Sequence, residues 1–137
     1  EEITKRFGSI NELFENHGEE YFRQCEREII LQVAKSAEVV IATGGGAVMD
    51  PNNIKVLEDS GEIFSLTATP EEVVNRLTSS GEVGVRPLID VEDPYGTISK
   101  LLAIREDVYK QFVEFDTVGK SPSEIANEIN DFLNARN

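Results

Sequence analysis

Val39-Val40-Ile41-Ala42-Thr43-Gly44-Gly45-Gly46-Ala47-Val48 is the stretch on which the reading of this chain turns. Its β-branched run predicts a buried strand over 38–43, and that strand delivers three glycines. Without a Cβ, such backbone can approach a small polar molecule closely. In an open α/β sheet, ligands sit at the carboxyl ends of the strands. A tight strand-to-helix turn would need one glycine, so three point to a ligand.

Working outward, residues 9–35 read as helical. Leu13, Phe14, Phe22, Ile29, Ile30 and Val33 recur at helical spacing, with an interruption near His17-Gly18. Asp50-Pro51 predicts a capped helix start, and that helix covers about 51–59 and stops near Gly61. Residues 62–67 alternate as a second strand. Thr69-Pro70-Glu71-Glu72 reads as a capping box opening a helix to about Leu77. Residues 78–90 form a long polar connection of the kind used as a mobile lid. A helix over 94–112, a short strand over 113–117 and a last helix from the box Ser121-Pro122-Ser123-Glu124 to about Ala135 complete the chain. The strand–helix alternation predicts a single α/β domain over 1–137 with a mainly parallel sheet.

Composition excludes several classes. The formal net charge of −13 argues against nucleic acid, whose phosphates need basic contacts. No apolar run has the length of a membrane span, which predicts a soluble protein. Cys25 is the one cysteine, so an internal disulfide and a cysteine metal cluster are both impossible, and a reducing, cytoplasmic setting is expected.

Against this acidic background the arginines near the glycines stand out. Arg23 and Glu26 lie three apart and can pair across one helical turn. A surface ion pair of that kind is worth little. An arginine held by Glu26 would instead aim its planar fork at a ligand carboxylate. Arg86-Pro87-Leu88 falls in the lid, and Arg105 stands four residues before Tyr109.

Taken in order, these elements resemble the shikimate kinases. The signature comprises Gly18-Glu19-x-x-Phe22-Arg23-x-x-Glu26, Ala42-Thr43-Gly44-Gly45-Gly46-Ala47-Val48, Arg86-Pro87-Leu88, Leu101-Leu102-x-x-Arg105-x-x-x-Tyr109 and Asp116-Thr117. It extends from Ile3 to near Ile129. The resemblance implies a three-layer α/β/α fold of the P-loop nucleoside-monophosphate-kinase type. It also implies transfer of the γ-phosphoryl of ATP to the 3-hydroxyl of shikimate, with Mg²⁺, in aromatic amino acid biosynthesis. Arg23 and Arg105 match the arginines that grip the shikimate carboxylate, and Glu26 the acid that orients the first. Gly45 and Gly46 match the backbone near the ring hydroxyls, and Phe14 and Phe22 the apolar walls. Arg86 matches the catalytic lid arginine, which folds over ATP and stabilises charge on the moving phosphoryl group. Residues 117–122, with Lys120, match the adenine side, and Arg76 is a second nucleotide-side candidate. The complete enzyme is expected to be a monomer.

The donor half of that chemistry is missing from the sequence. The family's opening strand, phosphate-cradling Walker A loop, first helix and Asp-x-Asp pair have no counterpart here, so no metal ligand is assigned. Gly119-Lys120-Ser121 resembles the end of a Walker A motif, but its required upstream glycine is replaced by Glu114. Ser121 reads better as an N-cap and Lys120 as a loop cation. The chain opens on Glu1-Glu2-Ile3, and a fragment of a longer kinase, unstable or prone to associate by itself, is the expectation. The alternative is a binding module of the same family that lacks a P-loop and turns nothing over.

Overall fold

Four helices begin with the same two-residue signal, a capping side chain followed by proline. They are α3 (Pro51–Ser60), α4 (Pro70–Ser80), α5 (Pro94–Tyr109) and α6 (Pro122–Ala135), in a computed structural model that describes residues 1–136. Asp50, Thr69, Asp93 and Ser121 each accept a backbone N–H of the first turn. Proline at the first position costs nothing there, because its missing N–H would have had no partner. At Ser121 the box is reciprocal, with the Glu124 carboxylate returning to the Ser121 N–H at 2.7 Å. At Thr69 only the forward bond to the Glu72 N–H forms. The Asp93-Pro94 start is a cap that the sequence reading passed over.

Two helices precede these. The short α1 (Glu2–Phe7), not anticipated, packs on α2 (Ile10–Val33). Inside α2, Gly18 sits at φ 83°, a left-handed backbone that breaks the helical run where the sequence interruption falls. Beyond it, Phe22, Cys25, Glu26, Ile29 and Ile30 turn one face inward. The helices α4 and α5 are longer and shorter, respectively, than expected: α4 continues to Ser80, so the irregular lid segment begins at Gly81, and α5 stops at Tyr109.

The sheet has two strands, β1 (Phe64–Thr67) and β2 (Val113–Asp116), paired in parallel with Phe64 opposite Val113. Phe64, Phe115 and Phe132 meet edge to face at 5.6–5.9 Å, which fastens α6 to this sheet. Each such aromatic pair adds about 0.5–1.5 kcal/mol beyond area burial.

The predicted strand over 38–43 does not form. Strand geometry needs a neighbour to complete its ladder, and β1 and β2 pair only with each other. The run is therefore irregular: Val40 is 100% exposed and Val39 50%. Only Ile41 reaches apolar company, packing with Val56 and Ile63 against a buried cluster of Ile30, Ala47 and Leu57. No helix of the described residues is long and apolar enough to cross a membrane.

Candidate active site

The glycines turn sharply at the end of this irregular run. The Ala47 N–H bonds to the Gly44 carbonyl at 3.1 Å, and a single 3-10 turn (Ala47–Met49) leads into the Asp50 cap of α3. Asn53, buried in α3, donates its amide to the Ala47 carbonyl at 2.9 Å and locks the turn from below.

Two guanidinium groups lie on this turn. A Cβ placed on Gly46 would stand 2.8 Å from the Arg23 guanidinium carbon. A Cβ on Gly45 would stand 2.7 Å from Arg105 Nη1 and 2.8 Å from the Tyr109 hydroxyl. Any side chain at either position would occupy the space the arginines use. The triplet is thus required by close approach of cations from α2 and α5.

Arg23 is held in place and Arg105 is free. The Arg23 Nη1 donates to Glu26 Oε1 at 2.8 Å, and Nη2 contacts Glu19 at 3.3 Å. Glu26 is only 4% exposed, so the pair is largely desolvated, unlike an ordinary surface bridge. The Arg105 side chain has no hydrogen bond or ion pair among the described residues, which leaves its whole donor fork available to an anion.

These groups line one cavity of about 530 Å³. Phe14 and Phe22 form an apolar wall, their rings 4.8 Å apart. Arg86 and Leu88 enter from the lid segment. Arg86 is exposed and donates to Glu82 at 2.6 Å, one turn away. Phe14, Phe22, Arg23, Glu26, Gly45, Gly46, Arg86 and Arg105, scattered over more than ninety residues in sequence, are therefore brought together. An arginine-rich apolar cleft with one fixed and one free fork suits a small carboxylate with an apolar body.

Lys120 lies elsewhere, in an adjoining cavity of about 1130 Å³ at the carboxyl ends of β1 and β2. Its ammonium meets the Glu128 carboxylate at 2.9 Å, which raises its pKa above the ordinary lysine value. Together with the complete capping box at Ser121, this makes Gly119-Lys120-Ser121 a helix start. In the same cavity Arg76 clamps Thr117, donating to its hydroxyl and its carbonyl, each at 2.9 Å. The Thr117 hydroxyl in turn donates to the Thr67 carbonyl at 2.8 Å, tying the ends of the two strands.

Sequence reasoning missed one support and left another without a role. Arg27 bridges Asp50 at 3.2 Å and Glu20 at 3.0 Å, joining α2 to the cap of α3. The Asp50 carboxyl is held below its usual pKa, first by the Asn52 N–H and then by Arg27. The other support is Tyr109, whose hydroxyl reaches the Gly45 carbonyl. Its four-residue spacing from Arg105 was the available signal, because residues i and i+4 share a helix face.

The sequence model of one family, shikimate kinase, matches residues 1–134. A shikimate kinase of Caldicellulosiruptor saccharolyticus is 41% identical over 130 residues, covering 93% of this chain and 74% of that protein. One from Geobacter sulfurreducens is 38% identical over 133 residues, covering 96% and 72%. Among solved structures, shikimate kinase from Acinetobacter baumannii in complex with shikimate superposes with a TM-score of 0.91 at 28% identity, covering 98% of this chain and 75% of that one.

Proposed function

The chain belongs to the shikimate kinase family, and we propose that the cavity under its glycine turn is the shikimate pocket. The fixed Arg23 and the free Arg105, set against Gly46 and Gly45, are the observation that carries this reading. Shikimate enters with its carboxylate toward the two guanidinium forks and its ring along Phe14 and Phe22. Glu26 keeps the Arg23 fork in register, so less orientation is lost on binding.

In the transfer itself, the 3-hydroxyl oxygen of shikimate bonds to the γ-phosphorus of ATP. The bond from that phosphorus to its bridging oxygen breaks, ADP leaves, and the hydroxyl proton passes to a base or to solvent. Arg86 contributes by leaving Glu82 and moving with the lid, residues 81–90, toward the phosphoryl group, where its charge is worth most in the transition state. The adjoining cavity, with Arg76, Thr117 and Lys120, takes the nucleoside side of ATP. Mg²⁺ accompanies the phosphates. We assign it no residue, since no group of three or more acidic, histidine or cysteine side chains stands together among the described residues. The active enzyme works as a monomer in the cytoplasm.

Calorimetric titration with shikimate, paired with coupled detection of ADP, tests the proposal. Saturable shikimate binding and shikimate-dependent ADP release are expected of the active enzyme. With the full-length product of the gene as the sample, binding without ADP release would mark the protein as a binding module, and absence of binding would overturn the pocket assignment.

A further inference from the structure

The hydroxyl of Tyr109 reaches the glycine turn from behind. Tyr109 lines the larger, strand-end cavity, whereas Gly45 and Gly46 line the cavity of Arg23 and Arg105. The hydroxyl donates to the Gly45 carbonyl at 2.5 Å, at the short end of the O–H···O range. That carbonyl shares one peptide plane with the Gly46 N–H. The bond is trans, so the two groups point in opposite directions. Fixing the carbonyl toward Tyr109 therefore fixes the N–H away from it. The Gly46 N–H is bonded to no group of the described chain, while its neighbours at Ala47 and Met49 are both engaged in the turn. With no Cβ on either residue, little else restrains that plane from rotating.

We propose that Tyr109 is a positioning residue for shikimate, its hydroxyl holding the Gly45–Gly46 peptide plane so that the Gly46 N–H is offered to a shikimate oxygen beside Arg23. This rests on the pocket assignment above. Arg105 and Tyr109 then act as a pair from one helix face: the first binds the ligand directly, and the second sets the backbone against which it binds.

The test uses the full chain, isotopically labelled, with shikimate itself as the probe. Tyr109→Phe keeps the ring and deletes the donor. Shikimate affinity should fall about fivefold, the scale of one lost neutral hydrogen bond. The Gly46 amide resonance should move in the absence of ligand. Tyr95→Phe, which deletes a comparable bond to Glu71 far from the turn, should leave both readings unchanged. A ring-fluorinated tyrosine at 109, which retains the donor, should bind within twofold of the parent. Equal affinity and an unmoved Gly46 amide in Tyr109→Phe would overturn the inference, as would loss of affinity in the fluorinated protein. Failure of the unsubstituted chain to bind shikimate would instead remove the pocket assignment, and this inference with it.

Discussion

The two sides of the glycine triplet behave oppositely. Upstream, residues 39–43 are the most β-branched stretch near the site, yet Val39 and Val40 face solvent and no ladder forms. Downstream, residues 47–53 carry a polar cap and an asparagine, yet Ala47 is 1% exposed and Asn53 4%. A strand satisfies its backbone only through a neighbour, whereas a 3-10 turn and a capped helix satisfy theirs locally. Order next to the site thus follows the supply of hydrogen-bond partners more than hydrophobicity.

The largest effect is expected on the ordered side. Gly46→Ala places a methyl group in the space of the Arg23 guanidinium. Displacing that group takes the partner from the buried Glu26, so the melting temperature should fall, and shikimate affinity should drop about a hundredfold by calorimetry. Retained affinity would mean that the turn yields and the close approach is incidental. Next, Asn53→Leu leaves the buried Ala47 carbonyl without its donor, and denaturant unfolding should show a loss of about 1–3 kcal/mol. An unchanged midpoint would show that the downstream turn is held by its backbone alone.

A smaller effect concerns pH. The Asp50 carboxyl is lowered from its ordinary value, so its contribution is fully present above that value and is lost as the pH falls through the lowered one. Asp50→Asn keeps a capping side chain and removes the charge. The variant should melt slightly lower than the parent near neutrality, and the two should converge below about pH 4. A gap that widened on acidification would refute the assignment. Smallest of all, Val40→Lys on the open side should leave the unfolding free energy within about 0.5 kcal/mol, because the side chain is fully exposed. Its visible consequence should be weaker self-association in sedimentation, since a charge blunts an unpaired apolar strand-like segment. A marked loss of stability would show that Val40 is covered in solution.

The helices were legible because their signals are local. Asp50, Thr69 and Ser121 declare their starts within four residues, and the period of Leu13, Phe22, Ile29 and Ile30 fixes the buried face of α2. The grouping of side chains had a different source: the resemblance put Arg23 and Arg105 at the glycines and Arg86 in the lid, and all three line one cavity. The 38–43 strand was misread because its β-branched residues report a preference that only a neighbouring strand can realise. Arg27 was missed and Tyr109 was left without a role because their partners, Asp50 and Gly45, lie 23 and 64 residues away.

Residue type and spacing were enough for the helix starts at Asp50, Thr69 and Ser121, the acidic surface, the glycine turn and membership of the shikimate kinase family. Packing alone decided that Gly46 must be bare because Arg23 lies on it, that Arg105 is free while Arg23 is held, and that Arg76 clamps Thr117 at the strand ends. Those outcomes depend on which groups meet across the packed helices α2 and α5 and the ends of β1 and β2. No local pattern encodes such distances.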